Sequence, residues 1–192
     1  MPDPAPHTLD FLLTRRSRPL KSLGLPVPDA EQLAPILEAA LRSPDHGKLE
    51  PWRLVVLPGP ALDRLATLVE TRGRDTGRPE DDVAKQHAAY AGSHLAVAVI
   101  GVPRASDKVP AVEQILSAGA VCTALLNAAL ASGWGATWLS GWASHDPVFA
   151  REGLGCEGDE WVAGLIHIGT EGAAPPERPR PDPRAKVTWM AG

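Results

Sequence analysis

Between Pro110 and Ala131 the chain carries Val112, Ile115, Leu116, Gly119, Cys122, Leu125, Leu126 and Ala129 at helical spacing, with small residues filling the remaining sides. An apolar surface this wide exceeds the single stripe that a surface helix buries against its own core. The helix is therefore expected at the centre of the fold, with a second face left for a partner subunit. Gly133 is placed to stop it. Whatever else the chain forms must pack around this segment.

The remaining elements alternate. Residues 94–102, HLAVAVIGV, form a nearly continuous apolar run, which predicts a strand covered on both faces. WRLVVL at 52–57, GATWL at 135–139 and WVAGLIHIGT at 161–170 read as three further strands. Helices are predicted from Thr8, with Leu9, Leu12 and Leu13 on one face, and from Asp29, where Gln32 completes a capping box and Leu33, Ile36, Leu37, Ala40 and Leu41 keep the period until Pro44. Another runs through Leu62, Leu65, Leu68 and Val69, and Asp146-Pro147 starts a last one. The stretch from Gly73 to Pro79 is polar and poor in apolar anchors, as a mobile surface segment or lid would be, and Pro19 to Pro28 holds too many breakers for regular structure. From Gly172 the tail is rich in Pro and Arg, until Val187-Thr188-Trp189 offers a strand-like triplet.

Connections of such unequal length argue against a plain doubly wound sheet. An α+β sandwich is expected, a central mixed sheet flanked by helices. The length of 192 residues favours one domain over residues 1–192, with 172–192 as a C-terminal arm.

Several function classes are disfavoured. A net charge of -4 provides no broad basic field for duplex nucleic acid. The first residues lack the basic flank and apolar core of a secretory signal, and no run is read as long enough to cross a bilayer, so a cytoplasmic location is expected. Cys122 and Cys156 are far apart and outside any CxxC pattern. His46, His87, His94, His145 and His167 show no ligand spacing, so no metal site is expected. The GxSxG, P-loop, HExxH and GxGxxG signals are all missing.

Three short constellations remain. Arg15-Arg16-Ser17 sets forked guanidinium donors beside a hydroxyl, which suits phosphate oxygens, although a solvated basic helix end has the same composition. SPDHGKLEPW, residues 43–52 directly after Arg42, puts polar groups on a tight loop before a strand. There Asp45 has the alternative role of an Asx-turn, His46 of a solvated loop residue and Trp52 of a core side chain. In TWLSGWA, residues 137–143, a strand stops at Ser140-Gly141, where freed backbone amides and a glycine permit close approach by a flat heteroaromatic ligand; alone, the motif is only a turn.

Their order is more specific than any one of them. RRS near the N-terminus, a helix, a P-x-x-x-x-x-x-P-W loop, a long alanine-rich helix with Glu113-Gln114 and Ser117-Ala118-Gly119, and a W-x-S-G strand end together resemble the nitroreductase family, in detail its short bacterial NAD(P)H branch. The resemblance covers essentially the whole chain. It implies an intertwined homodimer with FMN at the subunit interface. By that resemblance Arg15, Arg16 and Ser17 hold the phosphate and ribityl side, and Arg42 and His46 reach the same cofactor from the other subunit. Trp138, Leu139 and Ser140 line the flavin, and an amide near Ser140 or Gly141 meets flavin N5. Val187-Thr188-Trp189 would extend the partner's sheet.

The implied activity is ping-pong hydride transfer from NADH or NADPH through flavin N5 to a small oxidised acceptor such as a nitroaromatic or quinone. No side chain is assigned a catalytic role, because the flavin carries the hydride. A non-catalytic FMN-binding, storage or interaction module on the same fold is the alternative. Lys48 and Glu50 stand where larger relatives often have Asn and Gln, and Pro19 stands where they often have a basic residue.

Overall fold

The computed structural model describes residues 5–173 and 175–190. Helix α1 (Pro6–Thr14) leads through a 3-10 turn to the two-residue strand β1 (Leu23–Gly24), and α2 (Ala30–Ala40) follows. Next come β2 (Trp52–Pro58), α3 (Gly59–Asp75), α4 (Glu80–Ala91) and β3 (Leu95–Gly101). The long helix α5 (Ala111–Ala131), β4 (Gly135–Leu139), α6 (Pro147–Leu154) and β5 (Trp161–Glu171) complete the body.

Strand β5 organises the sheet. Its residues 165–167 pair with β3 on one edge and with β4 on the other, β1 meets its end at Thr170 and Glu171, and β2 extends the sheet beyond β3. Every one of these pairings is antiparallel, which corrects the expectation of a mixed sheet. The cause lies in the connections. Two helices, α3 and α4, separate β2 from β3 and return the chain in the opposite direction. β3 and β4 do run the same way across α5, but β5 lies between them, so that relation never becomes a ladder.

The sheet divides two apolar cores. On one face Leu62, Leu65, Val69, Tyr90 and Phe149 from the α3, α4 and α6 layer meet Ala98, Ile100 and Leu165. On the other Ile36, Val121, Cys122 and Leu125 from α2 and α5 meet Val97, Val99, Ile166 and Ile168. Successive side chains of β3 serve opposite cores, so every residue of that strand is buried and the sequence reads as an unbroken apolar run.

Local chemistry sets the helix ends. The Asp29 carboxylate accepts from Gln32 N–H at 2.9 Å while the Gln32 side chain accepts from Asp29 N–H at 3.1 Å, the reciprocal box expected. Asp146 caps α6 by accepting from Phe149 N–H at 2.7 Å. Gly133, at φ +85°, ends α5 in a conformation that a residue with a Cβ resists.

Three expectations about these segments change. Helix α1 begins at Pro6, so Thr8 lies within it rather than capping it. The connector before Pro28 contains β1. The polar stretch from Gly73 to Pro79 is the end of α3 and a tight turn into α4, and a Cβ on Gly73 would lie 2.4 Å from Val83 Cγ2, so glycine lets the two helices touch. Val187-Thr188-Trp189 is exposed, and its expected pairing is with a partner's sheet rather than within one chain, while residues 174, 191 and 192 of the expected arm lie outside the described residues. Helix α5, 21 residues long with a mean hydropathy of 1.6 over its most apolar window, is long and apolar enough to cross a membrane by length and composition, which corrects the expectation that no run is. Its inner face, from Val121 to Ala129, is part of the α2 and α5 core.

Candidate functional site

The Arg15 to Arg18 segment leaves α1 extended and runs beside β4, where Arg18 N–H donates to the Ala136 carbonyl at 2.9 Å. That contact brings the RRS group to the strand ending at Leu139, although more than a hundred residues separate them. Arg15 Nη2 donates to Ser17 Oγ at 3.1 Å, whereas its buried Nε has no hydrogen-bond partner. Arg18 Nε pairs with Glu171 at 2.6 Å. Arg16 reaches Glu177 at 3.5 Å, and Arg180 donates to the same carboxylate at 2.7 Å. Burial, then the charges of Arg180, Arg16 and Arg18, hold the Arg15 guanidinium below its ordinary pKa. Four arginines thus cluster, three of them paired with two carboxylates, and the excess positive charge is a standing attraction for an anion.

Beyond β4 the chain turns at Ser140-Gly141 and wraps a cavity of about 280 Å³ between this turn and α4. Lys85, Gln86, Leu139, Ser140, Trp142 and His167 are among its lining residues. A Cβ on Gly141 would meet Gln86 Oε1 at 1.6 Å, so the glutamine amide lies directly over the glycine backbone. The turn is fastened to the α3–α4 hairpin from outside: Trp142 Nε1 donates to the Asp82 carbonyl at 3.3 Å, and the Arg78 guanidinium stands 5.2 Å from the Trp142 ring centroid. Strand alternation parts the two aromatic-site residues expected together. Leu139 lines this cavity, while the Trp138 ring packs over Gly164 on the sheet's other face and stays partly exposed.

Arg42 and His46 lie elsewhere, near α5. Arg42 borders a shallow depression with Pro44 and Ala120, and His46 Nδ1 contacts the Glu113 carboxylate. Within one chain neither contacts the RRS group in any hydrogen bond or ion pair among the described residues. The intervening loop is held in an uncommon shape, with His46, Lys48 and Glu50 at φ of 58°, 65° and 46°. Asp45 braces it, its carboxylate accepting from Lys48 N–H at 3.0 Å and Glu50 N–H at 3.2 Å, three and five residues on rather than the two of the expected Asx-turn. Trp52 Nε1 donates to Ser117 Oγ at 3.0 Å, and Ser117 donates to the Pro44 carbonyl at 2.6 Å, which ties both ends of the loop to α5.

The family model described as "Nitroreductase family" matches residues 14–170. The chain belongs to the nitroreductase family. It is 34% identical over 183 residues to "Putative NAD(P)H nitroreductase YdjA" of Escherichia coli K12, covering 95% of this chain and 98% of that one. A Haemophilus influenzae protein with the same designation apart from the final name is 40% identical over 167 residues, covering 84% and 87%. A Desulfovibrio desulfuricans nitroreductase solved in complex with FMN superimposes with a TM-score of 0.74 at 20% identity, covering 96% and 97%.

Further residues reach this region that the sequence motifs do not single out. Lys85, Gln86 and Tyr90 of α4 face the cavity, and Arg180 of the arm joins the guanidinium cluster. A helix start was legible in Pro79 followed by Glu80-Asp81-Asp82, acids suited to an N-terminal turn. Burial pushes the Cys122 thiol up to about 12, and no group of three His, Cys, Asp or Glu among the described residues is arranged to hold a metal.

Proposed function

We propose that this nitroreductase-family protein is an FMN-dependent oxidoreductase that passes hydride from NADH or NADPH to an oxidised acceptor such as a nitroaromatic or quinone. A ping-pong cycle at the seam of a homodimer is the proposed course. The observation that carries the reading is the linked pair of sites along β4: an anion-attracting arginine cluster at one end and, past Leu139, a cavity roofed by backbone and amide groups. A flavin mononucleotide has the matching form, a phosphate joined by a flexible chain to a flat ring.

The residues present fit the group. The unpartnered Arg15 Nε is a donor awaiting an acceptor, and Ser17 stands beside it. Arg15, Arg16 and Ser17 would hold the phosphate, and the Leu139 to Gly141 backbone would back the ring. Bound FMN supplies the hydride chemistry, for which the protein provides orientation and exclusion of water. The names of the E. coli and H. influenzae relatives support NAD(P)H as the donor, and the Desulfovibrio structure supports FMN.

The dimer reading rests on apolar surface left uncovered in one chain. Leu13 on α1 is 69% exposed and Leu116 on α5 is 67% exposed, with Leu9, Leu12, Val112 and Ile115 beside them on the same helices. An intracellular location fits a nicotinamide-using enzyme. Arg42 and His46, away from the arginine cluster in their own chain, would act on the partner's flavin.

The test is the absorbance spectrum of the purified protein before and after anaerobic addition of NADPH. Flavin bands that bleach support the reading. Flavin that stays oxidised selects a binding or storage module, and a protein that takes up no FMN ends both. Arg15→Ala should weaken FMN binding by roughly ten- to a hundredfold, the loss of a charge-assisted hydrogen bond worth about 1.5–3 kcal/mol, and leave riboflavin binding nearly unchanged.

A further inference from the structure

Beneath the Ser140-Gly141 turn, three polar side chains form a floor that hydride transfer itself does not require. Tyr90 is 1% exposed, Ser144 is 3% exposed and His167 is 2% exposed, and all three line the cavity. Neither the Tyr90 hydroxyl nor the Ser144 hydroxyl has a hydrogen bond of good geometry, although the two neighbour one another closely enough for Ser144 to oppose the effect of burial on the phenol. Buried hydroxyls without partners are costly unless water or a ligand serves them. His167 Nδ1 lies 2.8 Å from Ser93 Oγ, and Ser93 in turn donates to the Leu95 carbonyl at 3.4 Å. A Ser93 hydroxyl proton directed at Leu95 matches the tautomer with the imidazole proton on Nδ1 and Nε2 as the acceptor, which is the tautomer a water relay requires. Burial keeps the ring neutral, holding its pKa down at about 4.

The overall reaction proposed above consumes a proton as well as a hydride. A quinone plus NAD(P)H plus one proton gives hydroquinone plus NAD(P)+; a nitro compound plus NAD(P)H plus one proton gives the nitroso compound, water and NAD(P)+. Solvent must supply that proton to a site that otherwise excludes it. The cavity is lined by the exposed Asp82, Lys85 and Ser140 together with the buried Tyr90, Ser144 and His167.

We propose that Tyr90, Ser144 and His167 hold a short chain of water in this cavity that delivers the acceptor's proton from solvent. The inference rests on the reductase reading. The two hydroxyls can each take and give a proton without becoming charged as they rotate, and neutral His167 anchors the chain by accepting a water hydrogen bond at Nε2 while Nδ1 stays on Ser93. The three are positioning and relay residues, and the hydride path does not pass through them.

The two half-reactions separate the claim from its premise. Bleaching by NADH transfers hydride without proton uptake from solvent, so Tyr90→Phe, which removes one oxygen and keeps the ring, should leave it unchanged. Reoxidation of the pre-reduced protein by p-benzoquinone should slow by about tenfold or more and lose its sensitivity to deuterated water, with Ser144→Ala acting in the same direction. Unchanged FMN affinity and melting temperature would show that the fold and cofactor site are intact. Independently of turnover, the 15N spectrum of the flavin-free protein, assigned by difference with His167→Gln, should show His167 neutral and protonated at Nδ1. Reoxidation as fast in Tyr90→Phe and Ser144→Ala as in the parent, or an Nε2-protonated ring, overturns the relay while bleaching persists. Absence of bleaching in the parent instead removes the reductase reading.

Discussion

Replacing Ser117 by Ala tests how the binding loop is tied to the long helix. The substitution removes the acceptor of Trp52 Nε1–H and the donor to the Pro44 carbonyl, bonds of 3.0 and 2.6 Å. Ser117 is itself buried, so no solvent molecule simply takes its place. A buried polar group stripped of its partner costs about 1–3 kcal/mol. Trp52 and Pro44 keep partial access to water, which favours the low end for each and a total of roughly 2 kcal/mol. For a domain of 150–250 residues each kcal/mol lowers the melting temperature by about 2–4 °C, so a fall of roughly 4–8 °C is expected. Flavin-free protein at one fixed concentration is the right sample, since both ligand and subunit association shift apparent stability. Urea unfolding followed by tryptophan fluorescence supplies the free energy. Trp52→Phe in the same series completes a double-mutant cycle, and a coupling of about 1 kcal/mol is expected because one hydrogen bond is shared. A Ser117→Ala cost below about 0.5 kcal/mol, or strict additivity with Trp52→Phe, would refute the linkage between loop and helix.

Further outcomes follow from other contacts. Hydrogen bonding from Arg72 holds the Asp146 carboxyl below the ordinary aspartate value of 3.8, so its contribution to stability is fully present above that value and is lost as pH falls through the lower native pKa. Urea titrations from pH 6 to 2 should therefore show a steeper acid loss in the parent than in Asp146→Asn. Gly73→Ala drives a methyl to 2.4 Å from the stiff Val83 side chain, a clash that should outweigh the roughly 1 kcal/mol of helix propensity gained; in a Val83→Ala background the same change should stabilise, and the reversal of sign in urea unfolding is the check. Leu116→Glu puts a charge on the exposed face of α5 and should shift sedimentation toward a single chain, with a dimer of unchanged strength counting against that face as the interface.

Much of this architecture was legible because its signals are local. The Asp29 and Gln32 box, the Asp146-Pro147 start, the GATWL strand and the stop at Gly133 each depend on neighbours within a few residues. Helix α4 was missed for the opposite reason. Its apolar anchors are sparse, and what holds it is Val83 against Gly73, a contact visible only once α3 is in place. The antiparallel sheet was hidden likewise, since the position of β5 between β3 and β4 is a property of strand order. In the candidate site the RRS group and the Ser140-Gly141 turn were found as motifs. Their meeting along β4, the entry of Arg180 into the arginine cluster and the buried Tyr90, Ser144 and His167 floor are products of tertiary packing. The split of Trp138 from Leu139 across the sheet was readable from strand alternation, once the pleat is followed residue by residue.

The position of β5 has a consequence for how the chain acquires its shape during synthesis. Domains are made from the N-terminus onward, and here the piece that fits between two earlier ones comes after both. Until residues 161–171 leave the ribosome, β3 and β4 each present a bare ladder edge to the cell. A nascent chain stalled before that point cannot close, whatever its helices have done. Cutting the gene near Gly158 should accordingly yield two fragments that are separately unfinished, with the shorter one carrying the insert that completes the longer.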